Sequence, residues 1–140
     1  MLQKRYLVTY MSKICYNTSM KCEIEKIKNF LKEEENILFG YLFGSCVNAT
    51  AHKQSDVDIA LYFKNYNFDI YADIVHRLEK LLHQKVDLVV LNQAKNLYLL
   101  ETIIRESILL KDHTGRDDFE LKKIHQVLDF KTLNQRLESA

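Results

Sequence analysis

No proline interrupts this sequence, and only three glycines do so in 140 residues. Those two residue types end helices and strands most readily, so their scarcity predicts long regular elements joined by short polar loops. The apolar residues indicate which element is which. Ile24, Ile27, Phe30 and Leu31 recur at helical spacing among Lys and Glu, predicting an amphipathic helix over 20–35 that stops at Asn36. Ile37–Phe43 is an apolar run that reads as a first core strand, and 59–63 completes a second. After a turn-rich break at 64–67, Ile70, Ile74, Leu78, Leu81 and Leu82 mark one face of a helix over 68–83. A buried strand follows over 85–91, then a helix over 92–107, a short edge strand over 108–110 and a turn at 113–115. The last helix, 116–138, has Phe119, Ile124, Val127, Leu128, Phe130 and Leu133 as its expected apolar face. Residues 1–19 show neither period and are expected to be a weakly ordered extension.

The chemistry sits between the first two strands. Gly44-Ser45 ends the first run, and ten residues later Asp56-Val57-Asp58 opens the second. Carboxylates two apart on a strand point to one face, because the side-chain period of a strand is two. Such a pair repels itself and raises one of its pKa values unless a cation or proton lies between its members. An oxygen-only donor set suits Mg²⁺, which takes one or two carboxylates and fills its other positions with water and substrate phosphate. Gly44 permits backbone angles closed to other residues, and Ser45 can cap the turn that follows and hydrogen-bond a phosphate oxygen. The third strand holds a lone acid, Asp87, in the run 85–91, where a carboxylate is costly to bury without a partner. Asp87 joins the site, pairs with a neighbour such as Lys85, or points out of the sheet. Taken singly, Asp56 and Asp58 would suit a solvated strand edge, and Gly44-Ser45 a simple turn and cap.

Together, Gly44-Ser45, the ten-residue gap, Asp56-x-Asp58 and a downstream acid resemble the signature of the DNA polymerase beta-like nucleotidyltransferases. In particular the chain resembles the minimal nucleotidyltransferase (MNT) antitoxins of HEPN/MNT toxin–antitoxin modules, over about residues 20–131. The resemblance implies a single-domain α/β (α+β) nucleotidyltransferase fold over 20–140, with a mixed β-sheet flanked by α-helices. It implies catalytic and metal-binding roles for Asp56, Asp58 and Asp87, and nucleotide binding at Gly44 and Ser45. It further implies two Mg²⁺ ions, ATP as substrate, and AMP transfer to a tyrosine hydroxyl of a partner HEPN ribonuclease, which would silence that toxin. A binding-only antitoxin and a transferase for a small acceptor are the rival expectations. Where many relatives carry a second glycine and an arginine after the Gly-Ser, this chain has Cys46, Asn48 and Ala49, with Lys53 as a substitute cation.

Composition narrows the alternatives. A net charge of +1 provides no general basic field, so no extended nucleic-acid footprint is expected. Cys15, Cys22 and Cys46 are odd in number and lack C-x-x-C spacing, which argues against a disulfide framework or zinc site and for a reducing, cytoplasmic setting. No apolar run approaches a membrane span, so no membrane partner is expected. The five histidines lack metal-ligand spacing, and the lysines and arginine of the last helix read as solvated.

Overall fold

The computed structural model describes residues 18–44 and 56–138. Most of the expected N-terminal extension, together with Ser45, Cys46, Asn48, Ala49 and Lys53, lies outside the described residues. In chain order the elements are α1 (Thr18–Glu33), β1 (Ile37–Phe43), β2 (Val57–Phe63), α2 (Phe68–Leu82), β3 (Val86–Val90), α3 (Leu97–Glu106), β4 (Ile108–Lys111) and α4 (Arg116–Glu138). The sheet runs β3-β2-β1-β4. β1 is antiparallel to both β2 and β4, whereas β3 lies parallel to β2. The expected mixed sheet is therefore present, with the first three strands side by side. Among the described residues no helix is long and apolar enough to cross a membrane.

Each face of the sheet has its own core. On one, Leu42, Ile59, Leu61, Phe63 and Leu88 pack with Ile27 and Leu31 of α1 and Ile74 and Leu78 of α2. On the other, Phe39, Tyr41, Phe43 and Ala60 meet Leu100 and Ile103 of α3. Each fully buried Leu, Ile or Phe contributes about 1.5–3 kcal/mol, so these two clusters are the main source of stability. A register shift between Ile37 and Phe39 lets Ile37 join the first core and Phe39 the second, although strict alternation would put both on one face.

Polar contacts fix the helix ends. Asn67 caps α2 by accepting from Ile70 N at 2.8 Å, and His83 closes it in a left-handed conformation (φ 53°). Lys111 Nζ donates to the carbonyls of Leu31 and Glu34, at 2.8 and 2.9 Å, placing a cation at the C-terminal end of α1.

Two expectations need correction. The third helix starts at Leu97, not at residue 92, because Asn92 is drawn into the sheet end. Its Oδ1 accepts from Phe63 N and its Nδ2 donates to Phe63 O, both at 2.8 Å, imitating one more residue of strand. Asn96 then caps α3 by accepting from Leu99 N. The second correction concerns α4. Val127 is buried and Phe119 and Ile124 half-buried, but Leu128, Phe130 and Leu133 are exposed. The buried side of α4 is carried instead by Arg116, Glu120 and Val127. Its expected solvated cations also have roles: Lys131 donates to Glu101 of α3 at 2.8 Å, and Lys123 lies over the Phe119 ring.

A buried polar cluster docks the start of α4 on the sheet. Tyr41 Oη donates to Glu120 Oε1 at 2.6 Å, and Arg116 Nη1 donates to the same oxygen at 2.9 Å. Arg116 also bonds the Asp112 carboxylate through Nε. Burial, reinforced by the neighbouring Glu120 carboxylate, holds the Tyr41 hydroxyl far above its ordinary pKa, so it remains a donor at any physiological pH.

Candidate active site

The parallel pairing of β2 and β3 settles the position of the third acid. Asp58 and Asp87 are direct register partners, so neighbouring strands present the two carboxylates on one face, with backbones about 4.8 Å apart. Asp56 lies one residue ahead of β2 and shares Asp58's parity. Phe43 pairs with Asp58 from the other side, so Gly44 emerges from β1 beside the same carboxylate.

These acids occupy the end of the face that α3 and α4 cover elsewhere. Asp56 and Asp87 are exposed and Asp58 is half-buried. Among the described residues Asp87 forms no ion pair with Lys85, the alternative partner expected for it. The electrostatic consequence falls on Asp58. Partial burial, then the neighbouring charges of Asp87 and Asp56, raise its pKa above the ordinary carboxylate value. A divalent cation would relieve that repulsion, and the donors are the hard oxygens that Mg²⁺ prefers. Among the described residues no three acidic, imidazole or thiolate groups close into a ready-made metal cage. An Asp58–Asp87 pair is nevertheless a sufficient protein contribution for an ion that keeps water and takes phosphate oxygens.

Gly44 is required where it stands. Its φ is +81°, and a Cβ there would overlap the Asp58 carboxylate, lying 2.9 Å from Cγ. Any side chain would be strained and would also push Asp58 aside. Gly44→Ala is therefore expected to cost about 1–3 kcal/mol of stability and to weaken cation binding at Asp58. Urea unfolding and a Mg²⁺ titration of thermal stability, run on the same variant, measure both effects. An unchanged variant in both would contradict the close packing.

Of the residues singled out in the sequence, the structure brings Gly44, Asp58 and Asp87 side by side with Asp56 just ahead of β2, while Ser45 lies outside the described residues. Sequence reasoning missed Asn92, which ties the end of β2 to the turn after β3. It also missed the Tyr41-Glu120-Arg116 cluster, whose signal was the Asp112, Arg116, Glu120 spacing of four residues across the start of α4.

Comparison with known proteins agrees with this geometry. The sequence profile of the family described as Polymerase beta, Nucleotidyltransferase matches residues 25–115, which hold every acid of the site. A Methanocaldococcus jannaschii protein named a protein adenylyltransferase is 32% identical over 88 residues, spanning 61% of this chain and 88% of that relative. Among solved structures, a toxin–antitoxin with AMP-PNP is similar at a TM-score of 0.69 and 25% identity, covering 83% of this chain and 95% of that one. A tri-AMPylated Shewanella oneidensis HEPN toxin in complex with MNT antitoxin gives a TM-score of 0.65 at 22% identity, over 86% and 96%. With the strand order, the in-register acids and the profile in agreement, the chain belongs to the polymerase beta nucleotidyltransferase family.

Proposed function

We propose that this protein is an antitoxin-type adenylyltransferase that moves AMP from ATP to a tyrosine hydroxyl of a cognate HEPN ribonuclease toxin in the cytoplasm, neutralising it. The observation that carries the reading is the juxtaposition of Asp58 with Asp87 beside Gly44. Support for the acceptor and donor comes from the relative named a protein adenylyltransferase and from the toxin–antitoxin structure with AMP-PNP.

Asp56, Asp58 and Asp87 would hold Mg²⁺, in our reading two ions, which when bound neutralises the triphosphate and stabilises the entering and leaving oxygens. Gly44 and Ser45 would receive the phosphates, Gly44 because its lack of a side chain lets its backbone lie directly against the Asp58 carboxylate. The tyrosine oxygen forms a bond to the α-phosphorus as the bond to pyrophosphate breaks, giving tyrosyl-AMP and pyrophosphate. In this reading Asp87, which is exposed on β3, takes the hydroxyl proton. Positioning and electrostatics supply most of the acceleration in such a site.

A binding-only antitoxin would need none of these acids. Wild type and the Asp56→Asn/Asp58→Asn variant, each co-expressed with the partner toxin, separate the two readings by cell growth. The enzyme reading predicts rescue by wild type and its loss in the variant at equal protein level. Equal rescue by both would establish neutralisation by contact alone.

A further inference from the structure

The sheet face that ends in Asp58 carries a second feature at its other end. Tyr62 stands four residues along β2 from Asp58, roughly 13 Å along a strand. There it lines a cavity of about 470 Å³, between the sheet end and the first turns of α4. That volume lies within the range of small-molecule sites.

Its walls divide into an aromatic part and a charged part. Phe39 backs the Tyr62 ring in a stacked arrangement, with centroids 4.8 Å apart and planes 8° from parallel. Phe119 meets Tyr62 edge-on at 5.4 Å. Neither Tyr62 nor Phe119 is fully buried, so both contribute ring surface to the cavity. Lys122 and Lys123 line the same space and make no ion pair among the described residues. Lys123 Nζ lies 5.8 Å from the Phe119 ring centre, which brings its charge to the aromatic wall. His113 Nδ1 accepts from Gly115 N at 3.0 Å, so a neutral His113 ring carries its proton on Nε2 as a further donor. Asp118 is the one acidic side chain in the lining, and the two lysines outnumber it.

Aromatic surface suits a flat ring, and two ammonium groups with an imidazole N–H suit an anion attached to it. We propose that this cavity is a second ligand site, separate from the acidic end of the sheet, for a planar aromatic anion of the nucleoside monophosphate class. The inference does not rest on the proposed adenylyl transfer, since none of the acids Asp56, Asp58 and Asp87 borders the cavity.

The test uses the full chain, with EDTA present, and 8-azido-AMP as photoaffinity probe, followed by peptide mapping. Labelling is expected on the segment spanning residues 113–123, with at least tenfold less in Lys122→Ala/Lys123→Ala, whose substituted side chains lie at the surface. Unlabelled AMP should compete at least tenfold better than adenosine or inorganic phosphate, because ring and phosphate contribute together. Label confined to residues 44–58, no saturable label, labelling indifferent to the lysines, or competition by phosphate alone equal to that by AMP would each overturn the proposal.

Discussion

Asp58→Asn is expected to abolish AMP transfer and, without added metal, to make the protein more stable. The two effects share a cause. Asp58 has its proton affinity raised by partial burial and by the Asp87 and Asp56 charges, so ionising it in the folded chain is unfavourable. A carboxyl whose folded pKa exceeds its unfolded value contributes stability at low pH and loses it as pH rises through the folded value. Once pH exceeds the folded value the wild type carries the full penalty, and an uncharged amide of the same shape removes it. Melting temperature without metal should rise in the variant, and its advantage over wild type should vanish in acid. On the proposed reading catalysis moves the other way, because the amide lacks the charge that would hold the cation. Loss of several kcal/mol of transition-state stabilisation corresponds to a rate reduction of about 10³ or more. Mg²⁺ should raise the melting temperature of wild type and leave the variant unmoved. Protons compete with the cation for the Asp58 carboxylate, so wild-type activity should fall toward low pH. A variant less stable than wild type without metal would show that the carboxylate has a structural partner instead.

Glu120→Ala carries the largest expected loss of stability, about 3–5 kcal/mol, because it removes one partner of a buried charge pair. Its Oε1 accepts from both the Tyr41 hydroxyl and Arg116 in a region where Tyr41, Arg116 and Glu120 are all below a tenth exposed. Truncation leaves the Tyr41 hydroxyl without its acceptor and Arg116 with one fewer counter-charge, its remaining ion pairs being with Asp112 and, at 3.7 Å, Asp117. The start of α4 would lose its attachment to β1, so the urea midpoint should fall sharply. Glu120→Gln keeps an acceptor and should fall between the two. A loss under about 1 kcal/mol on truncation, the range of an exposed pair, would mean that solvent reaches the cluster.

The acids and Gly44 were legible because the signal is local. The apolar runs located the strands, the period of two placed Asp56 with Asp58, and the turn placed Gly44. That Asp87 joins them is a fact of register between β2 and β3, which periodicity does not encode; the family resemblance supplied it. Asn92 was hidden because an asparagine completing a strand's hydrogen bonds resembles any polar loop residue until Phe63 is beside it. The face of α4 was misjudged for a related reason. Leucines at helical spacing count as core in a sequence, yet here Arg116, Glu120 and Val127 occupy the buried side, where Arg116 and Glu120 neutralise one another, and Leu128 and Leu133 face outward.

ATP labelled at its α-phosphate, Mg²⁺ and a purified HEPN partner, incubated with this protein, give the most direct test of the acidic site. Wild type should move the label onto a partner tyrosine, and the Asp58→Asn/Asp87→Asn variant should move none while binding the partner as before. Equal labelling by the two proteins would show that the reaction, if it occurs, is not performed by the carboxylates that β2 and β3 bring together.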